Sequence, residues 1–125
     1  VEFCENLYNK YGKAFITRAD SAEQVLIRGL KNASMTNHLH TDIRNAKKSE
    51  IFERINLVSR LIGEGRFSVM RHCKTAIKAI SDALWDSKHP DQRLDDGSTD
   101  IDTLDAMEYS IEEHMKPLLD SGGLR

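Results

Sequence analysis

The sequence predicts an α/β domain in which helices alternate with a few short strands. Three observations indicate this class. A short apolar run with a β-branched centre, 13–19, is typical of a buried strand. It is followed at once by a segment whose apolar residues have helical spacing, and similar changes of period recur along the chain. The length of 125 residues fits a single domain, 1–125, with a core of its own.

The first half of the chain is predicted to contain three helices and two strands. The helices cover 2–11, 22–32 and a segment after Ser49, which offers an N-cap; Gly63 and Gly65 close the third helix. The strands are 13–19 and the alternating segment 38–43. Because helices separate the strands, crossovers should join them, and the sheet should be parallel or mixed.

The second half is predicted to begin with a short strand, 66–71, and a helix over 73–86. A long loop over 87–99 follows, and a last helix runs from about 100 to 116. We expect Pro117 to discourage continuation of that helix and residues 117–125 to form a flexible tail. Three strands are few for a sheet, so we expect further strands upstream of Val1.

Charge is segregated along the chain although the formal net charge is only −2. The segment from Ile43 to Lys78 contains nine basic residues and three acidic ones. The segment from Asp86 to Glu108 contains eight acidic residues and two basic ones. A basic surface beside an acidic cluster suits an enzyme that cuts phosphodiesters, since cations on the surface hold the nucleic-acid backbone. The alternative is that these residues form exposed faces of amphipathic helices. No apolar run approaches the ~20 residues that a membrane span requires, so no membrane partner is expected.

The acidic segment ends in the most informative motif of the chain. Asp102 and Asp105 stand three residues apart in the last predicted helix and should share a face, with Ile101, Leu104 and the pair 106–107 packing on the opposite side. Such carboxylates repel one another unless a positive group lies between them. In an intracellular protein, Mg²⁺ or Mn²⁺ is a suitable cation. The alternative is an ordinary helix start, where acids are favoured by the helix dipole.

Asp20 is the second acidic candidate. It follows the first predicted strand at the point where the chain turns into a helix, which is where open α/β sheets place their ligands. Asp20 or Ser21 could equally cap that helix.

Taken in order, these segments resemble a known family. They are Ala19-Asp20-Ser21-Ala22-Glu23, the basic segment Arg44-Asn45-Ala46-Lys47-Lys48, and Asp102-Thr103-Leu104-Asp105-Ala106 with Tyr109 three residues on. The order over nearly the whole chain is similar to the C-terminal nuclease domain of the large terminase subunit of tailed bacteriophages. The resemblance implies an RNase H-like mixed sheet flanked by helices, and metal-dependent endonucleolytic cutting of concatemeric double-stranded phage DNA during genome packaging.

The resemblance also implies roles for single residues. Asp20 matches the second metal ligand of the family and Asp105 the third, which makes both catalytic candidates for a site with two Mg²⁺ or Mn²⁺ ions about 3.5–4 Å apart. Asp102 falls where relatives have His or another polar residue, and it is a third candidate ligand. We expect the family's first ligand upstream of Val1, together with the ATPase motor domain. Arg44, Lys47 and Lys48 are candidates for holding DNA phosphates.

The partners implied by this resemblance are double-stranded DNA, the motor domain of the same chain, and the portal and small terminase subunit. The implied location is the cytoplasm of the bacterial host. Two alternatives stay open from the residues themselves. One is a non-catalytic module of the packaging machine that contacts DNA or the portal, and the other is a different RNase H-like nuclease such as a resolvase.

Overall fold

The computed structural model of the chain describes residues 2–36 and 41–122, without the side chains of Phe3 and Gly122. The chain divides into two compact units, Val1–Lys47 and Lys48–Arg125. Both helices and strands are present, so the predicted mixed α/β class is confirmed. The prediction of one domain over the whole length stays a prediction.

The first unit is built on a strand–helix–strand motif. Its elements are α1 (Glu2–Tyr11), β1 (Ile16–Ala19), α2 (Gln24–Thr36) and β2 (Asp42–Asn45). The strands pair in parallel, with Ile16 opposite Asp42 and Ala19 opposite Asn45. α2 connects them as a crossover and packs against β2, with Ile27 and Ala33 buried. The sheet of the described residues has these two strands only.

Hydroxyl groups tie the elements of this unit together. The Tyr8 hydroxyl from α1 hydrogen bonds to Thr17 Oγ1 at 2.6 Å, and Thr17 Oγ1 lies 2.9 Å from Thr41 Oγ1. Ser34 Oγ in α2 donates to the Thr41 carbonyl oxygen at 2.9 Å. Thr41 is buried, so these bonds satisfy polar groups that water does not reach.

The second unit is helical. It contains α3 (Ile51–Gly63), α4 (Lys74–Asp82), α5 (Ile101–Tyr109), a 3₁₀ turn (Glu112–His114) and α6 (Met115–Gly122). Its buried apolar residues include Leu57, Val58 and Leu61, which have helical spacing on α3, together with Ala79 on α4 and Leu104 on α5.

The end of α3 and the beginning of α5 have local causes. α3 stops where Gly65 takes a φ of 69°, a left-handed conformation that glycine adopts without strain. The Asp100 side chain begins α5 as an N-cap, accepting from the backbone N–H of Thr103 at 3.1 Å and from its hydroxyl at 2.7 Å. These two bonds hold the pKa of the Asp100 carboxyl below its usual value.

Glu112 fixes the start of α3. Its carboxylate is buried and accepts the backbone N–H of Lys48 at 2.7 Å and that of Ser49 at 3.0 Å. Lys48 has a φ of 58°, unusual for a residue with a side chain, and the two hydrogen bonds hold the chain in this conformation. The predicted cap of α3 at Ser49 is therefore wrong. Glu50 holds the N-cap position and makes no side-chain cap bond.

Two predictions for residues 66–86 are wrong. Residues 66–71 form no strand, since no described strand of the second unit lies beside them to accept a ladder of hydrogen bonds. α4 ends at Asp82 instead of continuing to 86, because Ala83 is extended. On α4, Ala79 is buried, whereas Ile77 is exposed.

The helix predicted over 100–116 is divided into α5, the 3₁₀ turn and α6. The break occurs at Ile111, whose φ of −120° is not helical. Pro117 does not end a helix but lies in the first turn of α6, where its missing N–H is not needed. Of the predicted tail, residues up to Gly122 are helical and 123–125 lie outside the described residues.

In the first unit, the predicted helices match α1 and α2, and the predicted strand 13–19 is reduced to β1. The second strand is observed at Asp42–Asn45, and residues 38–40 of the predicted strand 38–43 lie outside the described residues. None of the helices in the described part of the chain has the length and apolar content that crossing a membrane requires.

Glu112→Gln should destabilise the protein by about 1–3 kcal/mol, because one of the two backbone N–H groups loses its acceptor in a buried place. Urea unfolding followed by circular dichroism measures this. The matched control is Glu53→Gln, an exposed glutamate in the first turn of α3. It should change the free energy of unfolding by no more than about 0.5 kcal/mol. Equal effects of the two variants would contradict the role given to Glu112.

Candidate active-site carboxylates

Asp20 lies at the carboxyl edge of the parallel strand pair. β1 ends at Ala19, whose carbonyl oxygen accepts the backbone N–H of Ala46 at 2.7 Å. Asp20 lies beyond the end of β1 and Lys47 beyond the end of β2, so both are at the same edge of the sheet. The Asp20 Oδ1 atom accepts the Ala22 N–H at 3.0 Å, and this turn leads into α2. Asp20 thus has the local turn role that the sequence allowed, and it stands at the predicted strand end.

The candidate DNA-binding residues are divided between the two units. Arg44 lies on β2 opposite Arg18, and Lys47 lies beyond the end of β2, at the edge that carries Asp20. The Arg44 guanidinium forms an exposed ion pair with Asp42 at 2.7 Å. Lys48 is the first residue of the second unit, where its backbone N–H donates to Glu112.

Asp102 and Asp105 lie on α5, as predicted, but in different surroundings. Asp102 is exposed, whereas the Asp105 side chain is only 25% exposed. Leu104 is buried, in agreement with the predicted packing face. Ala106 is exposed and does not contribute to that face.

Two arginines supply the positive charge that the sequence led us to expect beside Asp105. Arg54 Nη1, from α3, lies 3.2 Å from Asp105 Oδ1. Arg93 Nη1, from the loop between α4 and α5, lies 3.2 Å from the same oxygen. The two arginine side chains are 3% and 8% exposed. Both guanidinium groups thus converge on a single carboxylate oxygen.

Glu108, one turn further along α5, shares the same two arginines. Arg93 Nη2 hydrogen bonds to Glu108 Oε1, and Arg54 Nη1 lies 3.6 Å from Glu108 Oε2. The Arg54 guanidinium also lies over the Tyr109 ring, 5.0 Å from its centre. We call Arg54, Arg93, Asp105 and Glu108 the buried charge cluster. Its two positive and two negative groups balance formally.

The loop between α4 and α5 delivers Arg93 to this cluster. The Asp86 N–H donates to the Gln92 carbonyl at 2.9 Å, and the Leu94 N–H donates to the Leu84 carbonyl at 2.8 Å. These bonds close the loop into a small antiparallel bridge that pairs Trp85 with Arg93. The position of Arg93 is therefore set by backbone hydrogen bonds as well as by its ion pairs.

Burial raises the pKa of the Glu108 carboxyl above its usual value. The guanidinium groups of Arg93 and Arg54 act in the opposite direction but do not outweigh the loss of hydration. Glu108 Oε2 and Arg54 Nε are buried without a hydrogen-bond partner among the described residues. The cluster is therefore held by charge pairing, with its hydrogen bonding only partly satisfied.

A cavity of about 310 Å³ adjoins the cluster within the second unit. Ser59, Arg93 and Glu108 form the polar part of its lining. The apolar part comes from α3, α4, α5 and the loop, and includes Val58, Ile62, Ile80, Leu84, Trp85 and Met107.

Sequence reasoning did not single out Arg54, Arg93, Glu108 or Glu112. A signal for Arg54 was present, because the residue stands on the apolar stripe of α3, three residues after Ile51 and four before Val58. Glu108 likewise stands four residues after Leu104 on the buried side of α5. A charge on an apolar stripe calls for a buried partner. No comparable signal exists for Arg93 in the sequence, because this residue lies in a loop and belongs to no periodic apolar pattern.

The carboxylates of Asp20 and Asp105 are the kind of oxygen ligand that Mg²⁺ and Mn²⁺ take. Both arginine contacts fall on Asp105 Oδ1, and the side chain keeps partial exposure. Within the described residues, however, no group of three or more His, Cys, Asp or Glu side chains could hold a metal ion. Asp105 therefore fits a cation in the chemistry of its donor atoms, but the described residues do not supply a complete ligand set.

The chain was compared with known proteins. No protein-family model, no curated protein and no solved structure matches it.

Arg54→Met should destabilise the protein by about 3–5 kcal/mol, because two carboxylates of the cluster lose a buried positive partner. Chemical unfolding monitored by circular dichroism measures this. Arg60→Met is the matched control on the same helix, since Arg60 pairs with the partly exposed Glu64 near the end of α3. It should have little effect. If Arg60→Met were as harmful as Arg54→Met, the cluster would have no special role in stability.

The raised pKa of Glu108 predicts a pH dependence. The stabilising effect of protonating this group is fully present below its usual pKa of 4.5 and is lost as pH rises through the higher pKa of the folded state. The free energy of unfolding of the wild type, minus that of Glu108→Gln, should therefore decrease as pH rises above 4.5. Urea titrations of both proteins at several pH values test this. A difference that increases with pH would show that the arginines dominate.

Proposed function

We propose that the chain is the nuclease part of a terminase-type DNA-packaging protein, with an RNase H-like fold and metal-dependent endonuclease activity on double-stranded DNA. The ordered motifs around Asp20, Arg44–Lys48 and Asp102–Asp105 support this proposal through their resemblance to the family. The mixed α/β class of the chain is compatible with it. The proposed setting is the cutting of concatemeric phage DNA in the bacterial host, with the motor, portal and small terminase subunit as partners.

One structural observation carries the proposal. Asp20 follows β1 at the carboxyl edge of a parallel strand pair, and the exposed Lys47 follows β2 at the same edge. Ligands of open α/β sheets bind at this edge, where the chain turns from strand to helix. A carboxylate and a basic side chain that share such an edge suit an anionic substrate held beside a cation.

The proposal gives each residue a defined task. The resemblance assigns each of Asp20 and Asp105 the role of a carboxylate ligand, Asp20 in the first compact unit and Asp105 in the second. Lys47 and Arg44 hold backbone phosphates of DNA, and Lys48 is the third candidate for this role. Mg²⁺ or Mn²⁺, when bound, would supply charge stabilisation for phosphodiester hydrolysis.

A second function is favoured by the buried charge cluster. Asp105 already has two guanidinium partners, which is the arrangement expected of a carboxylate that supports the packing of α5 on α3. The chain would then be a non-catalytic module that contacts DNA or the portal, and its acids would act as turn, cap and ion-pair groups. Metal binding separates the two functions, because the non-catalytic module needs no cation at Asp20 or Asp105.

The decisive variant for the proposed function is Asp20→Asn. Asparagine keeps the oxygen that accepts the Ala22 N–H, so the turn into α2 should persist while the ligand charge is lost. We expect Mn²⁺ affinity, measured by calorimetry, to fall at least about tenfold, taking the cost of losing even an outer-shell partner as a lower bound. Nicking of supercoiled plasmid in the same buffer should fall with it.

Asp91→Asn is the control, since Asp91 is an exposed aspartate of the loop between α4 and α5. It should leave both Mn²⁺ binding and nicking unchanged. An intact wild-type protein that neither binds Mn²⁺ nor nicks DNA would contradict the nuclease proposal and favour the non-catalytic module. Equal loss in both variants would show that the effect is one of overall charge.

A further inference from the structure

The cavity of the second unit is a site to which neither the motifs nor the resemblance assigned a role. We propose that it binds a small, neutral aromatic molecule that carries one hydrogen-bond donor, such as a phenolic hydroxyl group or an indole N–H. The inference does not depend on the proposed function, because Asp20, Asp102 and Asp105 are not among the residues that line the cavity. The lining lies between Ile55 and Glu108, within one compact unit.

The first step of the argument is the size of the space. Its volume of about 310 Å³ lies at the lower end of the range of ~300–1,000 Å³ that is usual for pockets holding small molecules. Three large apolar residues of its lining, Ile62, Leu84 and Trp85, are exposed, so the cavity has an apolar edge in contact with water. An apolar ligand displaces that water favourably. The space therefore suits a compact apolar body.

The second step is a pair of buried charged groups in a lining that is otherwise mostly apolar. Arg93 and Glu108 both line the cavity, and their side chains are 8% and 3% exposed. Arg93 Nη2 hydrogen bonds to Glu108 Oε1, whereas Glu108 Oε2 is buried without a hydrogen-bond partner among the described residues. Because a buried acceptor without a donor is costly, a ligand that donates a hydrogen bond to this carboxylate gains affinity.

The third step concerns charge. Each guanidinium group of the buried charge cluster is offset by carboxylates, because Asp105 and Glu108 both contact Arg54 and Arg93. The charged side of the cavity therefore offers no excess of either sign. An ionised ligand would lose its hydration without meeting a free counter-charge, so we expect the occupant to be neutral.

The fourth step concerns the kind of apolar body. Trp85 supplies an aromatic ring, Met107 a polarizable thioether and Arg93 a guanidinium group to the lining of the same cavity. These groups attract an aromatic ring through ring stacking, sulfur–aromatic contact and the cation–π interaction, respectively. The chemistry of the lining thus favours an aromatic ligand over an aliphatic alcohol of the same size.

The test compares two probe molecules on the wild-type protein. Para-cresol has a phenolic donor, whereas para-methylanisole has the same ring and methyl group but an oxygen that is methylated and cannot donate. Trp85 is the only tryptophan of the chain and lines the cavity, so its fluorescence reports binding there. We expect a saturable fluorescence change with para-cresol and an affinity for para-methylanisole that is about tenfold lower, the usual effect of losing a hydrogen bond to a charged group.

Two results with the wild type would overturn the inference. One is equal affinity for para-cresol and para-methylanisole. The other is a fluorescence change that rises linearly with para-cresol and never saturates, which is the behaviour of collisional quenching without a site.

Ala83→Phe tests whether para-cresol occupies this cavity. Ala83 is an exposed residue of the lining, so a larger side chain there should fill part of the space without disturbing the buried core. We expect the affinity for para-cresol to fall at least about tenfold. Ala106→Phe is the matched control, since Ala106 is exposed on α5 and does not line the cavity. It should bind para-cresol as the wild type does. Unchanged binding in Ala83→Phe would contradict the assignment of the site.

A second copy of the chain is the competing occupant, because exposed apolar residues beside a cavity also fit a partner's side chain. Sedimentation velocity without probe measures the oligomeric state. A dimer that Ala83→Phe dissociates, combined with no saturable response to para-cresol, would overturn the inference and make the cavity an interface between copies. The comparison of the two probes uses the wild type only, so the inference stays testable if Ala83→Phe does not fold.

Discussion

The pairing of buried charges is the constraint on which the second unit depends. Arg54 extends from the core face of α3, where an unpaired guanidinium group would be prohibitively costly to dehydrate. α5 must therefore present Asp105 and Glu108 to it, and the loop after α4 must bring Arg93 to balance them. An apolar interface tolerates small shifts of one helix on another. An interface built on paired charges does not, because each shift leaves a buried charge without its partner.

The buried carboxylate of Glu112 is likewise paired, in this case with backbone N–H groups. A buried carboxylate from the turn after α5 accepts the N–H groups that precede α3, so charge-assisted hydrogen bonds join the beginning of the second unit to this turn. Glu108 and Glu112 are one helical turn apart in sequence, and both are almost fully buried. The acidic character of this segment thus has a structural cause, independent of any ligand.

Because acidic residues of α5 have structural roles, their number alone is not evidence for a bound cation. Carboxylates on α5 were expected to need a positive group between them, and two guanidinium groups meet that need for Asp105. Asp105 could have both a structural and a catalytic role only if one carboxylate oxygen pairs with the arginines and the other binds a cation. Asp20 presents a simpler case, since it stands at the strand end where α/β sheets bind ligands and its visible structural task is a local turn.

Local sequence patterns were enough to predict the class of the fold, the positions of α1, α2 and α3, and the placement of Asp20 at a strand end. These features depend on apolar periodicity and local turn chemistry, which act over a few neighbouring residues. The absence of a strand at 66–71 and the pairing of Asp105 with Arg93 depend on tertiary contacts instead. A strand needs a partner to satisfy its backbone groups, and an ion pair needs a loop that brings distant residues together. Both are interactions between residues far apart in the chain, and no local pattern encodes them.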